Sequence, residues 1–279
     1  MSKYRVLLTN DDGARSPFVA PFLDALSTYS WCAELRPVIP ASESSWIAQA
    51  ATRGKAVRCL TKAFDKHHGF IAHGTPSDCV ALGLDNLFPE RPDFVFSGVN
   101  LGSNAGLPFY LSSGTVGAAR QAFVSGLCAA AFSVQVPGEV MKAWVGQDLG
   151  ALDKIADCWP RIAAVCAKLA DALVTNDAWN DADFFSINLP WDASADTPVI
   201  LTRLERRQYG ELFHQLDTEN FLHRFSRYRD SEPAVAPEDP GLLEGDLAVL
   251  AKGTISVTPI VYDLALKNQA SIRRLRAMF

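Results

Sequence analysis

From residue 4 to residue 136 the chain alternates short apolar runs with longer segments whose apolar side chains recur at every third or fourth position. That rhythm constrains the fold more than any other feature. Four runs, 4–8 (YRVLL), 35–39 (LRPVI), 93–97 (DFVFS) and 127–136 (LCAAAFSVQV), are short and nearly uniformly apolar, as strands buried on both faces are. Between them lie helical stretches: SPFVAPFLDALSTYS, with Ser16 as cap and Pro17 in the first turn; a helix opened by Thr75-Pro76-Ser77; and TVGAARQAFVSG, which follows a glycine-rich loop. This order predicts an α/β protein with a Rossmann-like, doubly wound, mostly parallel sheet.

The second half is less regular. It predicts an amphipathic helix over 153–175, strands at FFSINLP, 198–202 (PVILT) and GTISVTPIVYD, and a basic helix at ASIRRLRAM. The segment RYRDSEPAVAPEDPGLLEGD is rich in Pro, Asp and Glu and reads as an exposed arm. One domain over 1–279 is expected, since a chain with 48% hydrophobic residues can bury a large core. A net charge of −5 with scattered Lys and Arg offers no basic stripe, so no nucleic-acid polymer is expected as partner. No apolar run approaches the ~20 residues of a membrane span, and MSKYRVLLTNDD carries no secretory pattern, so a cytoplasmic location without membrane contact is expected. The six cysteines form no CxxC pair and are expected to be reduced thiols.

In open parallel sheets, ligands bind beyond the carboxyl ends of the strands. Three loops leave such ends bearing oxygen ligands: Asn10-Asp11-Asp12, Ser42 to Ser45, and Ser97 to Asn100. Adjacent carboxylates raise each other's pKa unless a cation, a proton or open water relieves them. Carboxylate, hydroxyl and amide oxygens suit Mg²⁺, Mn²⁺ or Ca²⁺ rather than zinc. The plainer alternative is a turn in which Asp caps the following helix. SSGTVGAARQ presents hydroxyls and free N–H groups at the positive end of a helix, where anions bind, although Ser and Thr are also ordinary caps. The glycines at 98, 102, 106 and 114 spell neither a dinucleotide fingerprint nor a P-loop. The five histidines lack metal-ligand spacing, and no G-x-S-x-G elbow is present.

Taken together, LLTNDDG, GTPSDCV, SGVNLGSNAG, SGTVGAA, INLP, LTRLERRQY and GTISVTPIVYDL make the chain resemble the SurE family, the survival-protein 5′-nucleotidases, along nearly its whole length. The resemblance implies a metal-dependent phosphomonoesterase that hydrolyses nucleoside monophosphates by attack of a metal-activated water. Short polyphosphate and 3′-nucleotides are further implied substrates. It implies one divalent ion per subunit, Mg²⁺ or Mn²⁺, held by Asp11, Asp12, Ser45 and Asn100, with the two aspartates catalytic. By the same match Ser113, Gly114 and Thr115 contact the phosphate, and Asn10 adds a hydrogen bond. Residues from about 205 to 279 would form a C-terminal extension exchanged between subunits of a homodimer or homotetramer.

Three departures from the family pattern fall on the substrate side. GLPFYLSSGT is apolar where acidic residues are usual. Trp46 follows the serine ligand where a small residue is usual. Ala41-Ser42-Glu43-Ser44 replaces a loop that usually has an Asp and basic residues. Trp46 either stacks on a nucleobase or packs against Phe109. A covalent role for Asp11 would want its partner aspartate two positions away, which TNDDG lacks. The alternative function is a non-catalytic nucleotide-binding protein on the same fold.

Overall fold

The computed structural model describes residues 3–223 and 243–262. In chain order the first elements are β1 (Tyr4–Thr9), α1 (Val19–Ser27), β2 (Cys32–Pro40), β3 (Cys59–Phe64), β4 (His67–Ala72) and α2 (Pro76–Asp85). Then come β5 (Phe94–Leu101), α3 (Leu107–Ser112), α4 (Gly114–Val124), β6 (Cys128–Val134), α5 (Gly138–Val145) and α6 (Leu149–Asp153). The described chain continues with α7 (Cys158–Thr175), β7 (Phe184–Leu189), β8 (Val199–Leu201), β9 (Phe213–Gln215), β10 (Phe221–His223), α8 (Asp246–Ala251) and β11 (Ile255–Ile260).

Nine strands form one sheet in the order β3-β4-β2-β1-β5-β6-β7-β11-β8. All neighbours run parallel except β3 with β4 and β7 with β11, which gives the mostly parallel α/β sheet expected. The apolar runs are uniform because both sides of the sheet are covered. On β1, Val6 and Leu8 enter a core with Phe22 of α1, Phe132, and Ile162 and Cys166 of α7. Leu7, pointing the other way, joins Val38, Val80 of α2, Val95 and Ala119 of α4.

Several boundaries differ from expectation, each for a local reason. The first helix starts at Val19, past Ser16, with no side-chain cap. Pro21 is accommodated because N–H groups of a first turn have no helical partner anyway. The polar stretch around His67 and His68 is an antiparallel hairpin, β3–β4, whose β4 adds parallel to β2. Its outer strand is largely exposed, so its sequence carries no apolar alternation. The glycine-rich loop includes the one-turn α3, and the residues leading into the long helix form α5 and α6, so α7 itself begins only at Cys158. From the stretch assigned to the C-terminal extension, β11 returns into the sheet between β7 and β8. Most of the acidic arm (227–242 of its 227–246) and the basic C-terminal helix lie outside the described residues.

Helix α2 opens with a complete capping box. Thr75 Oγ1 accepts from Asp78 N at 3.1 Å, and Asp78 Oδ2 accepts from Thr75 N at 2.8 Å. Asp78 also accepts from Thr52 N (2.9 Å) and Thr52 Oγ1 (2.6 Å), pinning the loop after β2. Burial raises the Asp78 pKa, but these hydrogen bonds outweigh it and hold the carboxyl below its usual range. Its stabilisation is therefore present above the unfolded carboxyl pKa and is lost as pH falls through the folded value. Asp78→Ala is expected to cost about 1–2 kcal/mol at pH 7. In denaturant melts the difference from the parent should narrow as pH falls below the usual carboxylate range.

Candidate active site

The winding changes direction between β1 and β5: from β1 the chain goes outward to β2, while from β5 it goes the other way to β6 and β7. Such a switch point opens a crevice at the carboxyl ends of the strands. Here it is a cleft of about 900 Å³, lined by the turn after β1, the loop after β2, the end of β5 and the start of α4.

The Asn10 side chain closes the first turn, with Nδ2 donating to Gly13 O and Oδ1 accepting from Gly13 N, both at 3.1 Å. Asp11 and Asp12 then face the cleft, although only 2% and 3% exposed. Asp11 accepts from Thr115 N at 2.9 Å and from the Thr115 hydroxyl. Asp12 accepts from Leu101 N at 2.9 Å. The second loop is tied to the first by Ser44 N, which donates to Asp11 O at 2.7 Å, and Ser45 N donates to Glu43 Oε1 at 2.7 Å. A bulge between Ser97 and Asn100, where β5 runs against β6, re-aims Asn100 so that it lines the cleft. Its Nδ2 donates to Gly102 O at 2.6 Å, which leaves the amide oxygen as the end available to a ligand.

Helix α4 is rich in small residues because the second loop lies directly on it. A Cβ at Gly114 would stand 2.8 Å from Ser44 O and 2.9 Å from Asp11 Cβ, and one at Gly117 would stand 2.1 Å from Ala48 O. The loop is strained where it crosses: Trp46 and Ala48 take φ of 61° and 51°, a region that side chains other than glycine rarely adopt.

The electrostatics of the pair are unbalanced. Burial pushes Asp11 up to about 6 against the two Thr115 hydrogen bonds, and Glu43 adds repulsion. Burial also lifts Asp12 well above the carboxylate range, with the Asp11 charge next. Among the described residues, every formal charge acting appreciably on the two carboxyls is negative. Among the described residues no group of three His, Cys, Asp or Glu side chains is placed to hold a metal. A cation here would therefore draw on two carboxylates plus neutral oxygens, and the Ser45 hydroxyl and the Asn100 amide line the same cleft. Such a donor set suits a hard divalent ion.

The structure thus brings Asp11, Asp12, Ser45, Asn100 and Ser113 into one cleft wall. Gly114 sits behind Asp11, at the first position of α4. Thr115 is fully buried, and its hydroxyl donates to Asp11 instead of facing a phosphate. Asn10 is also fully buried, with both ends of its amide spent on Gly13. Trp46 lines the cleft, but its ring packs on Phe109 (5.5 Å), Tyr209 (5.5 Å) and His223 (4.7 Å). Three further charged residues line the cleft: Arg15, Glu43 and Asp153. Glu43 was legible as the one acid in its loop, whereas no motif marked Arg15, which follows the NDDG turn, or Asp153.

Known proteins are similar to this chain in sequence and fold. The family model described as "Survival protein SurE" matches residues 6–211. The 5′-nucleotidase SurE of Methanocaldococcus jannaschii is 31% identical over 265 residues, 94% of each chain. That of Methanocella arvoryzae is 32% identical over 215 residues, 76% of each chain. The crystal structure of the SurE protein from Aquifex aeolicus superposes with a TM-score of 0.71 at 26% identity, covering 98% of this chain and 99% of its own. Among the described residues no helix is long and apolar enough to cross a membrane. With its matching motifs in sequence order and its switch-point cleft built from them, the chain belongs to the SurE family.

Proposed function

We propose that the protein is a phosphomonoesterase acting on nucleoside 5′-monophosphates, with one divalent cation, Mg²⁺ or Mn²⁺, held by Asp11, Asp12, Ser45 and Asn100. The observation that carries this reading is the pair of almost fully buried carboxylates at a strand end, on which, among the described residues, only negative charges act appreciably. The relatives named 5′-nucleotidases supply the substrate class. When bound, a divalent ion in such a site supplies Lewis acidity and lowers the pKa of a coordinated water.

The chain's own groups bind and orient the phosphate. Ser113 Oγ accepts from Val116 N at 3.1 Å as the cap of α4, so its hydroxyl proton is free to donate to a phosphate oxygen. The Gly114 N–H, at the first helical position, has no partner within its helix and lies at the positive end of the dipole. Both would act on non-bridging oxygens as charge builds up. Thr115 and Leu101, through their hydrogen bonds, fix the orientation of the two carboxylates.

Assembly as a homodimer or homotetramer is part of the same reading. The edge strand β8 leaves Val199, Ile200 and Leu201 exposed, and the β9–β10 hairpin leaves Phe213, Phe221 and Leu222 exposed. Such patches call for a partner surface. All six cysteines are unpaired, which suits the reducing conditions of the cytoplasm.

The test is phosphate release from a panel of nucleoside monophosphates and an aryl phosphate, measured with Mn²⁺, with Mg²⁺ and with chelator. Turnover should require the metal and return on its re-addition. Release that persists in chelator would overturn the metal assignment. Nucleotide binding without release from any substrate would replace the reading with that of a binding protein.

A further inference from the structure

The cleft reaches well beyond the carboxylates and the phosphate-binding end of α4. Its volume of about 900 Å³ lies within the range typical of sites that enclose an organic ligand, roughly 300–1,000 Å³. A second wall of it is supplied by the α5–α6 pair: Met141, Trp144 and Val145 from α5, and Leu149 and Leu152 from α6. This wall begins close to the carboxylates. The Met141 methyl group lies 3.3 Å from where a Cβ on Gly102 would be, two residues from Asn100. Arg15, three residues after Asp12, bridges to the turn between the two helices, its Nη1 donating to Gln147 Oε1 at 3.4 Å.

Two features show that the wall is made to be covered. Val145 and Leu149 are 57% and 69% exposed, yet both line the cleft. Of the three tryptophans in its lining, two are committed to other rings: Trp46 as described, and Trp159 to Phe18 at 5.2 Å and Trp191 at 5.6 Å. Trp144 is half-buried, and among the described residues no other ring stacks on it.

We infer that the α5–α6 wall, with Trp144 at its centre, is the leaving-group subsite of the cleft and takes the flat heteroaromatic base of the nucleotide. The inference rests on the phosphomonoesterase reading and adds which surface recognises the part of the substrate that is not phosphate. A base can cover Trp144 and the exposed side chains of Val145 and Leu149. Gln147 and Asp153 at the same wall offer an amide and a carboxylate to the polar edge of the base. Stacking of this kind tolerates different bases, because every base presents a π-face.

The test compares kcat/KM for adenosine monophosphate with kcat/KM for ribose 5-phosphate, which lacks the base, in wild type, Trp144→Ala and Trp144→Phe. The ratio should fall about tenfold or more in Trp144→Ala and stay within about threefold of wild type in Trp144→Phe. An unchanged ratio, or equal losses on both substrates in Trp144→Ala, overturns the subsite. Should wild type release phosphate from neither compound with any metal, the phosphomonoesterase reading fails on its own. Calorimetric binding of the same two compounds then decides the subsite: a preference for the nucleotide that Trp144→Ala removes supports it, and one that the variant keeps, or no preference at all, overturns it.

Discussion

Asp11→Asn is expected to lower metal-dependent phosphate release by at least about 10³-fold while leaving the protein as stable as its parent or more so. On the proposed reading the activity falls because the substitution removes one of two carboxylates from a cation site whose other donors would be neutral. The fold is kept because asparagine repeats both Thr115 contacts, its oxygen accepting from Thr115 N and its amide donating to the hydroxyl. The stability follows from linkage. In the folded protein burial raises the Asp11 carboxyl from 3.8 to about 6. Its contribution is therefore fully present only below about pH 4 and is lost as pH rises through about 6. At pH 8 without metal, the ionised group costs on the order of 2–3 kcal/mol, which asparagine avoids. Thermal melts in chelator should place the variant several degrees above wild type at pH 8 and close to it below pH 4. A variant retaining more than a tenth of the wild-type rate would remove Asp11 from the catalytic set.

Gly117→Ala should do the opposite of what a glycine-to-alanine change in a helix ordinarily does. Such a change usually stabilises by about 1 kcal/mol. At this position the new methyl would stand 2.1 Å from Ala48 O and 2.6 Å from Ala48 C, both backbone atoms that no rotamer change can move. The loop after β2 must lift from α4, straining the ties from Ala48 N to Ser112 O and from Ser44 N to Asp11 O. A loss of about 1–3 kcal/mol is expected. Because Ser45 and Glu43 ride on that loop, kcat/KM should fall by about 10²-fold as well. Gly138→Ala, where a Cβ meets nothing within 4 Å, is the matched control for stability. If Gly117→Ala melts with the control, the close packing of loop on helix does not govern the site.

The parallel core was legible because its strands are buried on both sides and leave uniform apolar runs, as at 4–8 and 93–97. The hairpin β3–β4 was not, since CLTKAF is exposed along most of its length and only β4 ties the hairpin to the sheet, by pairing with the much earlier β2. That Asp11, Asp12 and Asn100 line the cleft was legible from NDDG and SGVN because each motif sits at a strand end. Their partners were not: Thr115 reads as a phosphate contact in sequence, and only the packing of α4 against the first turn shows its hydroxyl on Asp11. The two readings left open for Trp46 are separated by Tyr209 and His223, more than 160 residues further along the chain. The α5–α6 wall left no motif at all, because an apolar surface that awaits a ligand has the same composition as one that awaits a core.

The place of β11 has a consequence for how the molecule is made. This strand, nearly the last of the described chain, fills the gap between β7 and β8 and pairs with β7 through Ser256↔Asn188. While the chain emerges during synthesis, β7 must wait some seventy residues for its neighbour, with its outer edge of backbone N–H and C=O groups unpaired. The Asn188 that β11 flanks is the residue whose side chain accepts from Asn104 N at 2.8 Å in the loop beside the carboxylates. Completion of the cleft is thereby deferred until β11 has been made, and a nascent chain stopped short of Ile255 presents an adhesive sheet edge before it presents a working site.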